Sequence, residues 1–179
     1  GDLKELAALD AQEGAKFAAD MTILCRQISE LNIPTICAID GAAIGGGVEW
    51  SLAFDIRMAT ERSLFDFAQL RIGLCSGFGG GQRLVNLLGG SRATSLLLLS
   101  EVLAADEAQR IGLVHRLAES ADTLDAQVNE LIQKWEALPP EAVAAQKCIL
   151  AGCSAQQAND EFRKIWKNPH HAEILRRYR

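Results

Sequence analysis

Three consecutive glycines, Gly45-Gly46-Gly47, stand between an apolar run and a helical pattern. The apolar run over residues 33–39 closes at the turn Asp40-Gly41, and the residues from Val48 onward repeat as a helix that carries Glu49 in its first turn. Strand, glycine-rich turn and helix start together place unhindered backbone N–H groups at the positive end of a helix dipole, where an anion is favoured. A carboxylate beside such a place can move a proton while the amides hold developing negative charge, which is the layout of an enzyme site. The same residues also admit a plainer reading. Glycine triplets allow close strand–helix packing, and a glutamate in a first helical turn is favourable for the dipole alone. The stretch is not a P-loop, because no Gly-Lys-Ser/Thr follows, and it lacks the G-x-G-x-x-G spacing of a dinucleotide turn.

The chain has 179 residues, 49% of them hydrophobic, enough for one domain with a substantial core. Its formal net charge of −5 comes without any run of Lys or Arg, which argues against a nucleic-acid surface or a polybasic membrane anchor. No apolar run approaches the ~20 residues of a membrane-spanning helix. Cys25, Cys37, Cys75, Cys148 and Cys153 are odd in number and form no C-x-x-C pair, so they read as reduced, mostly buried thiols of a cytoplasmic protein. His115, His170 and His171 have no ligand spacing, and no metal is expected.

Along the chain, residues 10–31 read as one long helix whose apolar stripe is Phe17, Met21, Leu24, Ile28 and Leu31. Residues 35–39 read as a buried strand, 45–53 as the helix with Glu49, 56–59 as a strand and 64–67 as extended chain. A second glycine-rich loop over 73–81 opens a helix over 82–88. Gly89-Gly90 closes it, and Ser91 is expected to cap the next helix, which runs to Leu99. A short helix over 106–111 stops at Gly112, a strand covers 113–117, and helices cover 123–138, 141–150, 156–166 and 169–178. Strands alternating with helices argue for an α/β fold with crossover connections.

Three segments carry a resemblance: G-A-A-I-G-G-G-V-E-W-S-L-A-F-D-I-R-M-A, then G-F-G-G-G-Q-R-L, then A-A-D-E-A-Q-R-I-G-L-V-H-R-L. In that order they resemble the crotonase superfamily, the enoyl-CoA hydratase/isomerase family, from Gly1 to about Pro140 and more weakly beyond. The resemblance implies a crotonase-like spiral of ββα repeats over residues 1–120. It also implies a helical C-terminal region, 121–179, that packs in a homotrimer or hexamer. The opening Gly1-Asp2-Leu3-Lys4-Glu5 is similar to a segment well inside the family's chains, so an N-terminal part is expected to be missing.

The resemblance further implies an acyl-CoA substrate and no separate cofactor, coenzyme A being part of the substrate. The thioester oxygen lies between two amides, which match Gly46 and Gly1. Glu49 matches the first of two catalytic glutamates, and the second position falls on Gln69, which hydrogen-bonds but cannot exchange a proton at neutral pH. Gly77 matches a position whose amide helps bind water. Asp66, Cys75 and Ser76 are candidates to line the substrate pocket, with Asp66 a candidate substitute acid. His115 reads as a strand-end residue. The Arg176-Arg177-Tyr178-Arg179 tail reads as a solvated helix face, the alternative implied by the resemblance being a contact to the CoA phosphates of a neighbouring subunit. The implied activity is hydration or isomerisation of an enoyl-CoA through an enolate. Two alternatives remain. One is decarboxylation of a malonyl-type acyl-CoA, suggested by a faint likeness of D-E-F-R-K-I-W-K-N-P-H-H-A-E-I-L to methylmalonyl- and ethylmalonyl-CoA decarboxylases. The other is a catalytically idle CoA-binding relative.

Overall fold

The computed structural model describes residues 3–178. A short helix α1 (Leu3–Ala8) leads into α2 (Ala11–Ser29), which begins where Asp10 caps it. The Asp10 carboxylate accepts from the amides of Gln12 and Glu13, and the Glu13 side chain accepts from the Asp10 amide, a reciprocal pair that satisfies three backbone donors near the helix start.

Then the chain begins to coil. Strand β1 (Ile36–Ile39) and strand β2 (Ala42–Ile44) follow each other across a two-residue turn but enter different sheets. Gly41, at φ 113°, makes the corner in a region that L side chains rarely adopt. Helix α3 (Gly46–Ser51) follows, and the strand–strand step repeats in β3 (Ile56–Thr60) and β4 (Leu64–Asp66). After the 3-10 turn Gln69–Ile72 come α4 (Gly80–Leu88), α5 (Gly90–Leu98), β5 (Val102–Ala104), α6 (Ala105–Arg110) and β6 (Arg116–Ala118). One sheet has the order β1-β3-β6, all parallel; the other has β2-β4-β5, with β2 and β4 parallel and β5 antiparallel to β4. Each turn of the coil thus adds one strand to each sheet, in strand–strand–helix order for the first two turns and with α6 between β5 and β6 in the third. Four helices complete the chain: α7 (Ala121–Glu136), α8 (Pro140–Leu150), α9 (Ala155–Ile165) and α10 (Pro169–Arg176).

The main core lies inside the coil. Val48 from α3, Phe65 and Phe67 around β4, Leu84 from α4, Leu96 from α5 and Leu113 after α6 meet there, all essentially inaccessible to water. Burying side chains of this size stabilises by about 1.5–3 kcal/mol each. A smaller cluster of Met58, Ala118 and Leu124 joins the first sheet to α7. Helix α8 is tied to the start of the coil by Lys147, a buried cation that donates to the Ile33 carbonyl at 2.6 Å and pairs with Asp55 at 2.8 Å.

Several sequence expectations are corrected. On α2 the inward line is Phe17, Met21, Cys25 and Ile28. Cys25 is fully buried, whereas Leu24 and Leu31 of the expected stripe are exposed. A one-residue step rotates a side chain by ~100°, so Leu24 cannot share a narrow seam with Cys25. Strand β2 was not anticipated, because three residues are too short to show a period, and its existence depends on pairing with β4. Strand β1 is not buried on both faces, since Ala38 is exposed. Ser91 does not cap α5. Gly89, at φ 78°, ends α4 and begins α5 at once, and Ser91 falls inside the helix. Leu113 and Val114 are buried but precede β6, their amides turned back to the Ala108 carbonyl at 2.9 and 3.1 Å. No helix among the described residues is long and apolar enough to cross a membrane.

Candidate active site

The site is built where the two glycine-rich loops meet. At the first, Gly45 turns the chain out of β2 at φ 50°, and its amide is anchored on the Asp66 carbonyl at 2.8 Å. The Gly45 carbonyl then accepts from Val48 and Glu49, at 3.0 and 3.2 Å, which closes the first turn of α3. The amides of Gly46 and Gly47 lie ahead of those bonds, and among the described residues neither donates to any acceptor. The ring of Phe78 packs on Gly46 so closely that a Cβ there would lie 2.6 Å from its Cε2. Phe78 in turn meets Phe17 of α2 edge-on, with centroids 5.7 Å apart.

Three residues after Gly46, the side chain of Glu49 runs across to the second loop. It is only 4% exposed, and its carboxylate receives four N–H donors. Oε1 accepts from Gln69 Nε2 at 3.0 Å and from the Gly77 amide at 3.3 Å; Oε2 accepts from the amides of Phe78 and Gly80, each at 3.0 Å. Gly80 is the first residue of α4, and Gly79 before it takes φ 73°. The second glycine loop therefore does hold an anion at a helix N-terminus, and that anion is the protein's own Glu49. Four N–H groups match the roughly four lone-pair directions of an ionised carboxylate.

The other candidates divide. Gln69 opens the 3-10 turn, is 6% exposed, and is joined to Glu49; its own Oε1 is buried and has no hydrogen-bond partner. Gly77 is brought to the same carboxylate, and its carbonyl accepts from Thr22 on α2 at 2.9 Å. Ser76 lies against the first turn of α4, its Oγ 3.3 Å from where a Cβ on Gly81 would stand. Cys75 is exposed. Asp66 is not brought to Glu49. Its carboxylate pairs with Arg71, whose other nitrogen donates to the Ser100 carbonyl at 2.6 Å. Gly1 lies outside the described residues.

Three neighbours were not anticipated. Cys25 sits behind the site; burial pushes its thiol up, with Arg83 opposing and the charge of Glu49 adding to that shift. Arg83 of α4 donates to the Phe78 carbonyl at 2.8 Å, which fixes the loop from the far side. Phe78 itself carried no sequence signal beyond its place between glycines. A cavity of about 500 Å³ lined by Arg26, Leu52, Arg57, Arg83 and Lys147 is separate, since none of Gly46, Glu49, Gln69 and Gly77 lines it. Among the described residues no group of three or more His, Cys, Asp and Glu is gathered as a metal site. His115 is exposed and its ring bonds to the backbone of β3. Its Nδ1 accepts from the Arg57 amide at 3.1 Å, and its own amide donates to the Arg57 carbonyl at 2.8 Å.

The chain is similar in sequence and fold to known proteins. The family model described as enoyl-CoA hydratase/isomerase matches residues 1–172. The short-chain-enoyl-CoA hydratase of Clostridium acetobutylicum is 34% identical over 146 residues, covering 82% of this chain and 56% of the relative. The mitochondrial methylglutaconyl-CoA hydratase of Homo sapiens is 35% identical over 151 residues, covering 84% of this chain and 44% of the relative. The crystal structure of an enoyl-CoA hydratase from Bacillus anthracis superposes with a TM-score of 0.92 at 27% identity, covering 99% of this chain and 71% of that one. A putative enoyl-CoA hydratase from Thermobifida fusca in complex with acetoacetyl-CoA superposes with a TM-score of 0.74 at 26% identity, covering 90% and 62%. The chain spans about half the length of the curated relatives it matches.

Proposed function

The chain belongs to the enoyl-CoA hydratase/isomerase family, and on that footing we propose that it acts on an acyl-CoA thioester by stabilising an enolate, in the hydration or isomerisation of an enoyl-CoA. In this reading the Gly46 amide donates to the thioester oxygen, with the Gly1 amide as its counterpart, and Glu49 carries the proton to or from the acyl chain. Gly77 and Gln69 position the group on which Glu49 acts. One observation carries the reading: an amide at Gly46 that has no partner among the described residues stands three residues ahead of a carboxylate that is 4% exposed and gripped by four N–H groups. Such a carboxylate has a fixed position, as proton transfer in a set geometry requires. The Thermobifida fusca neighbours, solved with acetoacetyl-CoA and with CoA, support a CoA thioester as the ligand.

Assembly as a homotrimer or hexamer is supported by apolar side chains left uncovered on the last helices, among them Phe162 and Trp166, each more than half exposed. Five unpaired cysteines fit a reducing, cytoplasmic setting.

The full-length protein incubated with crotonyl-CoA, with thioester products followed, tests the reading. Turnover that falls by about 10²–10⁴-fold in Glu49→Gln supports it, since that is the range a positioned acid/base contributes. Binding of CoA without turnover of any acyl-CoA indicates a catalytically idle relative instead.

A further inference from the structure

Helix α8 ends in a way that brings two thiols together. Gly152, just past the helix, takes φ 84°, in the left-handed region. Its amide donates to the Ile149 carbonyl at 3.1 Å, and the Cys153 amide donates to the Cys148 carbonyl at 3.4 Å. Those two bonds, the inner one spanning three residues and the outer one five, with a left-handed glycine between, are the Schellman closure of a helix. The closure acts on side chains too. The residues at the two ends of the outer bond lie against each other, an arrangement most often filled by an apolar contact. Here both are cysteines. Cys148 and Cys153 are each half-buried, so neither is sealed in the core as Cys25 is. The titration of Cys153 reflects the same proximity: burial first, then the Cys148 side chain and the charge of Glu161 on α9, push its thiol up.

From this helix end we infer that Cys148 and Cys153 are a dithiol modification site, which closes to an intramolecular disulfide on reaction with a small-molecule disulfide. One cysteine attacks a sulfur of that molecule as its thiolate. The small S–S bond breaks, and one small thiolate leaves and takes up the proton the cysteine gave up. The second cysteine then attacks the protein sulfur of the mixed disulfide. The new S–S bond forms, and the second small thiolate leaves with the second proton. The protein loses two electrons and two protons, and the small disulfide gains both.

The helix end supplies what the second attack needs, a thiol already held beside its target. In a reducing pool the pair stands as thiols, and it closes when the pool turns oxidising, which is the behaviour of a sensing disulfide rather than a structural one. Lys147, the residue before Cys148, ties α8 to the coil through the Ile33 carbonyl and Asp55. A closed bridge therefore pins the far end of the helix that joins the last helices to the core.

The test equilibrates the full-length protein, as it assembles, with mixtures of reduced and oxidised glutathione. The sample is quenched with acid, alkylated and digested with trypsin. Cleavage after Lys147 and Arg163 releases a peptide over residues 148–163 that carries Cys148, Cys153 and no other cysteine. In oxidising mixtures this peptide is expected to lose two hydrogens and to carry neither label nor glutathione. Closing consumes one disulfide and releases two thiols. At a fixed ratio of oxidised to reduced glutathione, diluting the pool tenfold is therefore expected to raise the closed-to-open ratio about tenfold. Cys153→Ser is expected to stop at one glutathione on Cys148, in a proportion that ignores the dilution, because a mixed disulfide exchanges one disulfide for one thiol. A native peptide that keeps one or two glutathiones overturns the inference. So does a bridge between two subunits, or full alkylation of both thiols in mixtures that modify the exposed Cys75. Should Cys153→Ser not fold, the dilution series on the native protein decides alone.

Discussion

The side chain of Glu49 occupies the space that a side chain on Gly80 would need. A Cβ built on Gly80 stands 2.6 Å from Glu49 Cβ and 2.7 Å from Oε2, and nearer still to Cγ. The glycine that starts α4 and the glutamate that ends up on its amide are thus one device assembled from two loops 31 residues apart. Gly80→Ala is expected to destabilise by about 1–3 kcal/mol through overpacking and to lower kcat on an enoyl-CoA by about 100-fold, because Glu49 must leave its four donors. In a Glu49→Gly background, which removes the Cβ as well as the carboxylate, the stability loss is expected to vanish. A double-mutant cycle by thermal unfolding measures that coupling, and additive losses would show that the two residues do not compete for the same space.

Arg57 illustrates a different dependence, on backbone carbonyls. The residue is 4% exposed; its Nε donates to the Leu113 carbonyl and its Nη1 to the Phe54 carbonyl, each at 2.7 Å. Burial pushes its guanidinium below the usual range, so its hydrogen bonds offset a desolvation cost. Arg57→Met keeps most of the stem and removes both donors. Each acceptor left buried costs about 1–3 kcal/mol, which for a chain of this size lowers Tm by roughly 2–4 °C per kcal/mol. Calorimetry showing a native Tm for Arg57→Met would mean that both carbonyls find other donors.

How much of this could be read in advance depended on sequence distance. The start of α2 at Asp10, the helix carrying Glu49 and the end of α7 before Pro139 are local signals, written in caps, glycines and prolines within a few residues. Glu49 and both glycine loops were visible for the same reason. The bond between them was not. The donors on Glu49 come from 20 to 31 residues further on, and nothing in the spacing says that the second loop closes on the first. Strand β2 was illegible because its three residues are extended by pairing with β4 rather than by their own preference. The inward face of α2 was misjudged because Cys25 counts weakly as apolar next to Leu24 on most scales, yet it is the one that packs. Asp66 looked like a pocket carboxylate in the sequence, and Arg71, five residues on, claims it.

His115 gives a pH dependence with a definite sign. Partial desolvation and the charge of Arg57 lower its pKa below the usual 6.5, and its Nδ1 accepts the Arg57 amide, a bond that only the neutral ring can make. The unfolded chain therefore takes up the proton more readily than the folded one. Stability from this group is fully present above the unfolded pKa and is lost as pH falls from there toward the folded value. His115→Asn offers an amide oxygen that does not titrate. The difference in Tm between the native protein and this variant is expected to shrink or reverse as pH falls from about 7 to about 5. A difference constant across that range would show that His115 titrates alike in both states.

Gly46 and Gly80 both lack room for a side chain, but against neighbours of different kinds. At Gly80 the obstacle is the side chain of Glu49, whereas at Gly46 it is the Phe78 ring, whose Cε2 and Cζ lie 2.6 and 3.1 Å from the built Cβ. A ring at the end of a side chain can turn aside, so Gly46→Ala is expected to be folded and destabilised by no more than about 1–3 kcal/mol. Adding Phe78→Ala removes the obstacle and is expected to recover that loss relative to Phe78→Ala alone. Activity is expected to behave otherwise. The methyl of Gly46→Ala still stands beside the amide proposed to face the thioester oxygen, so kcat is expected to stay depressed by about 100-fold in the double variant. Recovery of stability together with kcat would show that the glycine is required only by the ring. Recovery of stability alone ties the requirement to the approach of a substrate to the Gly46 amide.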